Sequence, residues 1–380
     1  MKVFLETLFL QLLFTPYLYY RGAQALPKGF LRAAFRVLLV AQAVLALGGY
    51  ALHTLLPKEW MSFFIKVTGT WALLCIYIVP LVLLVNLWRR LDKRSRGPVS
   101  RLAPRAYARV KLGLFMGIAA TSALLLWDGY GRVYRPAVRY YAMTLPAAPD
   151  SLPQPRTRIL FISDLHFSET IGPKHAAGWI ELCREQNPDL ILVGGDMFDY
   201  WSHFGYHSRV MELMRSLKAP LGTYYVMGNH EYRADTPVKE EWVPLVGGTL
   251  LKDTVLALPG GLELIARDDY SQKSRPELRT LVQRIPPQDK QRTRILLEHQ
   301  PVQLDSLSPN GIFLALYGHT HNGQIVPFTQ VVQLAWDNAY GYERKGSAHT
   351  LVSSGLGAAG PALRFFTRSE IVVIDLLPAH

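Results

Sequence analysis

Five short clusters of oxygen- and imidazole-bearing residues stand in order along the second half of the chain. They are Asp164-Leu165-His166, Gly195-Asp196, Gly228-Asn229-His230-Glu231, His299, and Gly318-His319-Thr320-His321. Carboxylate, amide oxygen and imidazole are the ligands that suit borderline divalent metals such as Mn, Fe and Zn. Two such ions held close together can hold a bridging hydroxide and clamp both the attacking and the leaving oxygen of a phosphoryl displacement. The clusters therefore point to two-metal phosphoester hydrolysis.

Something must position them, and the sequence supplies apolar runs in the right places. Residues 158–163, 190–193, 223–227, 294–297 and 312–317 read as strands, each ending at one of the clusters. A helix-like stretch, 176–185, separates the first two. Loops at the carboxyl ends of strands are where α/β folds build their sites. A lone Asp after a strand is usually a turn or cap residue; five clusters in register with five strands are not. Asp199 is read either as a helix N-cap or as a partner of a ligand, and Glu231 as a residue that orients His230 or a loop. His175, His203, His207 and His349 fall outside the pattern and are read as surface or packing residues. The aromatic loop around His203 and His207 (Tyr200, Trp201, Phe204, Tyr206) is a candidate substrate wall, and Arg233 and Arg267 are candidate phosphate contacts.

The blocks closely resemble the calcineurin-like metallophosphoesterase superfamily, whose pattern is D-x-H, G-D, G-N-H-D/E, H and G-H-x-H. The likeness covers about residues 155–378. It is strongest to the bacterial membrane-anchored branch, through Leu297-Glu298-His299-Gln300-Pro301, Gly318-His319-Thr320-His321-Asn322-Gly323-Gln324 and Val352-Ser353-Ser354-Gly355-Leu356-Gly357. Ala266-Arg267-Asp268-Asp269 stands where that branch carries a Gly-x-Asp-Asp turn, with Arg267 a departure. The resemblance implies a four-layer α/β/β/α sandwich with a dinuclear site at the edge of its two sheets. It implies one metal on Asp164, His166, Asp196 and His321, and another on Asp196, Asn229, His299 and His319. Asp196 is then the bridge. His230 is implied as the acid that protonates the leaving oxygen or stabilises the phosphoryl charge, while a metal-bridging hydroxide attacks in line without a covalent intermediate.

The first half is of another kind. Hydrophobic residues make up 49% of the chain and mean hydropathy is +0.10. Four apolar stretches, at about 3–20, 33–56, 63–88 and 112–127, precede the clusters; the second and third reach the ~20 residues that span a bilayer. The first is interrupted by Glu6, Gln11 and Pro16 and is the weakest. The net charge of +12 belongs here: residues 1–149 hold 19 Lys and Arg against 4 Asp and Glu, and residues 150–380 hold 22 against 25. A nucleic-acid enzyme would more often carry its positive charge on the catalytic face. No nucleic-acid partner is expected. Two cysteines, Cys75 and Cys183, make no disulfide framework.

Between the third and fourth stretches lie Arg89, Arg90, Lys93, Arg94, Arg96, Arg101, Arg105, Arg109 and Lys111 against Asp92 alone. The positive-inside rule puts this loop in the cytoplasm. The catalytic half then lies outside, as part of a multi-pass protein of the cell (inner) membrane. Trp60, Trp88, Trp127, Tyr130 and Tyr134 suit interfacial belts. The expected organisation is a transmembrane helical region over 1–131, a linker over 132–154, and a metallophosphoesterase domain over 155–380. The expected function is a membrane-anchored, two-metal phosphoesterase acting on phosphodiesters or phosphomonoesters, extracytoplasmic or lipid-linked. Alternatives are a cytoplasm-facing lipid pyrophosphatase similar to lipid A precursor hydrolases, a noncatalytic metal-binding scaffold, and a transporter with an attached regulatory domain.

Overall fold

The computed structural model describes residues 2–52, 55, 60, 63–146, 156–168, 170–199, 208–233, 240 and 242–378. The aromatic loop with His203 and His207, the connection bearing Lys58 and Glu59, and the 147–155 part of the expected linker lie outside the described residues. The chain divides into two compact units, Met1–Asp128 and Gly129–His380.

The first unit is helical. Three of its described helices are long and apolar enough to cross a membrane: Phe30–Gly49, Ile65–Arg94 and Pro104–Tyr134, the last running on into the second unit. The weakest stretch is also a helix, Lys2–Tyr20, but is not among those three. A small core of Leu18, Leu39, Cys75 and Val79 holds the unit together. Leu38, Leu84 and Leu124 point outward, as lipid-facing side chains do. Asp92 is buried, and its carboxylate accepts the backbone N–H groups of Val99 and Ser100. The one acid of the basic loop is therefore turned inward as a structural cap, leaving that loop's surface charge cationic.

The second unit is an α/β sandwich of two six-stranded sheets. The strands are β1 Ala137–Thr144, β2 Thr157–Ile162, β3 Leu190–Val193, β4 Thr223–Tyr225, β5 Thr249–Leu250 and β6 Thr254–Leu258. They continue with β7 Leu262–Ala266, β8 Thr293–Leu297, β9 Ile312–Tyr317, β10 Gly341–Lys345, β11 Ala348–Val352 and β12 Glu370–Leu377. One sheet runs β1-β12-β2-β3-β4-β5 and the other β10-β11-β9-β8-β7-β6. Their central strands are continuous apolar runs because both faces are covered. Along β2, Ile159 and Phe161 enter the core between the sheets, whereas Leu160 and Ile162 meet the helix layer with Trp179 and Ile180. On the second sheet Ile295 and Leu297 face inward and Leu296 faces Leu278, Leu281 and Leu304 outside. Three apolar cores separate four layers, and a slip of one residue in any of these strands would exchange its two buried faces.

Part of the 132–154 stretch is not linker. Helix Pro104–Tyr134 reaches Tyr134, and β1 pairs in parallel with β12 from Ala137↔Glu370 to Thr144↔Leu377. On its inner face Met143 is buried and Tyr141 is partly buried against the core between the sheets.

Candidate metal centre

β2, β3 and β4 lie side by side in parallel, and so do β8 and β9, so their carboxyl ends meet at one edge of the sandwich. The chain turns sharply there. Asp164, His166, Asp196, His319 and His321 all have positive φ, between 48° and 71°. Non-glycine residues rarely adopt that region, which costs about 1–3 kcal/mol each and collects at functional sites. Two glycines are required by close approach. A Cβ on Gly228 would overlap the Asp196 carboxylate, and one on Gly318 would overlap that of Asp164.

Three groups result. Asp164, His166, Asp196 and His321 bring one donor atom each within 4.8 Å of one another; so do Asp196, His299 and His319, and so do His166, Asp199 and His230. The first two groups share Asp196. Its Oδ2 lies 3.2 Å from His299 Nε2 and 3.8 Å from His166 Nε2. His166 Nε2 and His321 Nε2 are 2.9 Å apart, His321 Nε2 is 3.4 Å from Asp164 Oδ1, and His319 Nδ1 is 3.3 Å from His299 Nε2. Asn229 is buried at the amino end of the short helix Asn229–Arg233, and its Oδ1 has no hydrogen-bond partner among the described residues. A buried orphan oxygen beside these groups fits a cation ligand, since leaving it unsatisfied costs about 1–3 kcal/mol.

These comparisons with known proteins agree with the geometry. Residues 157–323 match the profile of the calcineurin-like phosphoesterase family. A Helicobacter pylori (strain J99) protein called an uncharacterized metallophosphoesterase is 32% identical over 272 residues, which cover 70% of this chain and 71% of the relative. The chain belongs to the calcineurin-like phosphoesterases. Phosphodiesterase YaeI of Escherichia coli K12 is 31% identical over 58% of this chain and 82% of its own length. A zebrafish (Danio rerio) transmembrane protein with a metallophosphoesterase domain is 27% identical over 94% of this chain and 84% of its own. This phosphoesterase is thus a metal-dependent hydrolase.

Charge in the phosphoesterase site is set by burial. It lowers the His166 pKa to about 4 and that of His319 to about 3, and takes His321 well below its ordinary value. These imidazoles are neutral at pH 7, with lone pairs available to a cation. His299 behaves oppositely: burial works against its charge, but the Asp196 carboxylate raises it well above the ordinary value. Its Nδ1 donates to Gly194 O at 2.7 Å, which leaves Nε2 facing Asp196. Such an outer hydrogen bond fixes ring orientation in metal sites. His230 Nδ1 is 3.0 Å from Asp199 Oδ1, and Asp199 Oδ2 accepts the Gly360 N–H at 3.0 Å. Of the two readings of Asp199, the partner of a site histidine is the one observed.

Glu231 is the loop organiser. Its buried carboxylate accepts N–H groups from Asp196 (3.0 Å), Met197 (2.7 Å), Phe198 (3.1 Å) and Gly228 (2.7 Å), tying the β3 loop to the β4 loop. Glu231→Ala would strand these donors in a dry interior at about 1–3 kcal/mol each. We expect the unfolding midpoint of the second unit to fall by more than about 5 °C, since 1 kcal/mol moves a domain of this size about 2–4 °C. An unchanged midpoint in a thermal melt would show that water replaces the carboxylate.

One of the two candidate phosphate arginines changes status. Arg267 does not face the site: it is buried, with its guanidinium on Glu298 (3.2 Å) and Pro276 O (2.9 Å). Arg233 is exposed. Sequence reasoning missed Arg364, which is fully buried and donates to the carbonyls of His321 (3.1 Å), Ser354 and Gly357 (2.8 Å). It pins the His321 loop to the 353–357 loop, whose Gly355 and Gly357 pack on Asp164 and Leu165. A guanidinium among backbone carbonyls leaves no motif, so only the surrounding Gly-rich run hinted at it.

Proposed function

We propose that this protein is a membrane-anchored phosphodiesterase with a dinuclear metal centre, acting on the outer side of the membrane. The observation that carries the reading is the sharing of Asp196 by two adjacent ligand groups. One ion would be held by Asp164, His166, Asp196 and His321, and the other by Asp196, Asn229, His299 and His319. The donor set of carboxylate, amide oxygen and imidazole suits Mn, Fe or Zn. When bound, such a pair supplies Lewis acidity toward phosphoryl oxygens and lowers the pKa of a coordinated water. The chain's own residues do the rest. Asp164 and Asp196 are locked by backbone donors, His319 N to the first at 2.9 Å and His230 N to the second at 2.9 Å, so the carboxylates are preorganised. His230 keeps a proton for the leaving oxygen, with Asp199 orienting its ring.

Preference for diesters draws on the name of the E. coli relative, and the outer location on the basic 89–111 loop. The test is the full-length protein in detergent, stripped by chelator and reloaded with manganese. Bis-(p-nitrophenyl) phosphate should turn over only after reloading, and faster than the monoester. A folded, metal-loaded protein inert to both would overturn the reading. Alkaline phosphatase fused after Tyr134 should be active; an inactive fusion would place the domain in the cytoplasm.

A further inference from the structure

The helix Phe328–Ala335 is amphipathic, yet it faces the wrong way for a core element. Its sequence is FTQVVQLA, and it buries Thr329 while presenting Phe328 (44% exposed), Val331 (54%) and Leu334 (91%) to the outside. A surface helix of a soluble domain turns its apolar stripe inward. Contiguous apolar residues left outside mark a binding surface.

The patch is not remote from the site. Gly323, just after His321, lies so close to the helix that a Cβ there would overlap the backbone of Phe328 and Thr329. At its other end, Trp336 stands edge-on to His319 with ring centroids 5.1 Å apart. The helix is a wall of the loop that carries the fifth ligand block.

The occupant follows from the chain's path. Val326 N donates to Phe365 O at 3.1 Å, and Ile325 bridges Phe365, so the start of the helix lies beside the 364–368 segment. Arg364 N in turn donates to Gly129 O at 3.1 Å, and Ser369 N to Arg132 O at 3.2 Å. Gly129 opens this unit, only two residues after Trp127, the last residue of the apolar 112–127 run. Two residues reach at most about 7 Å. On the reading that this run crosses the bilayer, chain connectivity alone keeps the surface next to Gly129 within short reach of it. That surface also carries Phe366, which is 61% exposed at φ 65°, and the exposed Arg368, a cation suited to anionic headgroups.

We propose that the Phe328–Ala335 helix, with Phe366 and Arg368, is a membrane-docking patch that sinks into the headgroup–acyl boundary and sets the mouth of the metal centre at the lipid surface. Interfacial helices lie about 5–10 Å into that boundary with the apolar face down. A phosphate ester presented by a lipid would then reach the site without leaving the membrane.

The test is spectroscopic and needs no activity, so it stands or falls apart from the phosphodiesterase reading. Full-length Leu334→Cys would carry an environment-sensitive nitrobenzoxadiazole label in vesicles of phosphatidylethanolamine and phosphatidylglycerol. Cys75 and Cys183 are both buried and should not compete. Arg279→Cys, exposed on the outer helix of the second sheet, is the control. The Leu334 label should emit to the blue of the control and lose intensity when lipids with shallow nitroxides are included, while the control keeps its emission. Equal insensitivity of the two labels would overturn the proposal. So would a blue-shifted Leu334 label that nitroxide lipids do not quench, which would assign the patch to a protein contact.

Discussion

Asp196→Asn in the full-length phosphoesterase should remove metal-restored turnover while leaving the fold intact. Asp196 is the side chain shared by the Asp164–His166–His321 and His299–His319 groups, so in the proposed two-ion centre its loss would strike both ions where Asp164→Asn or His319→Ala would strike one. The carboxamide keeps the shape and one oxygen, and it can still accept the His230 N–H now bound at 2.9 Å by Oδ1. What it cannot do is offer a second anionic oxygen where Oδ2 now faces His299 at 3.2 Å, His166 at 3.8 Å and His230 at 3.9 Å. Without the carboxylate that raises it, His299 would lose its pull toward the cationic form. Replacing an outer partner of a metal ligand typically costs 10–100-fold; we expect this change to exceed about 100-fold in kcat/KM. Elemental analysis after dialysis should show less metal per chain than in the unsubstituted protein. Full metal content with near-normal turnover would overturn the shared-ligand assignment.

The sequence displayed this centre well because its members sit in short motifs at strand ends, where the local pattern and the chemistry coincide. Asp164 ends a run of buried residues, and the strand before it could hardly be anything else. The two-sheet architecture followed from the family resemblance, and the strand runs alone would have allowed a single parallel sheet. β1 was hidden for a different reason: its burial depends on pairing with β12, more than 200 residues later, and nothing local announces that partner. Arg364 was opaque because it acts on backbone C=O groups, which every residue carries, whereas the place of Glu231 in the third block already marked it as an organiser of His230 or a loop. Arg267 misled in the opposite direction. An arginine near an acidic turn suggests a phosphate contact, but Glu298, buried beneath it, needed a counter-ion, and burying that carboxylate unpaired would have been more costly. The exposed apolar face of Phe328–Ala335 was unreadable in principle, since the period of a helix shows that it has two faces and not which one is covered.

His230→Ala should have an effect that depends on the leaving group, and this dependence separates an acid from a simple charge stabiliser. His230 Nδ1 is occupied by Asp199 at 3.0 Å, so Nε2 is the atom directed toward the ligand carboxylate of Asp196, at 3.9 Å. Burial lowers its affinity for a proton, but the carboxylates of Asp196 and Asp199 outweigh this and hold its pKa at about 9. A dication bound beside it would pull that value down, so the enzyme's basic limb is expected at or below pH 9. Without metal the group carries its proton at neutral pH, and in the proposed role it gives that proton to a departing alkoxide. General acid catalysis of this kind contributes about 10²–10⁴-fold. We expect a loss in that range for diesters of alkyl alcohols, and a much smaller one for bis-(p-nitrophenyl) phosphate, whose phenolate departs without a proton. Metal content should not change, because His230 is outside both ligand groups that share Asp196. Asp199→Asn should act in the same direction but through the pKa: removing the anion lowers the His230 value, and the basic limb of the rate profile moves to lower pH. A series of esters with graded leaving groups, measured across pH for the three proteins, reads all of this at once. If His230→Ala costs the same for every leaving group, the histidine stabilises phosphoryl charge, and the proton must reach the leaving oxygen from solvent.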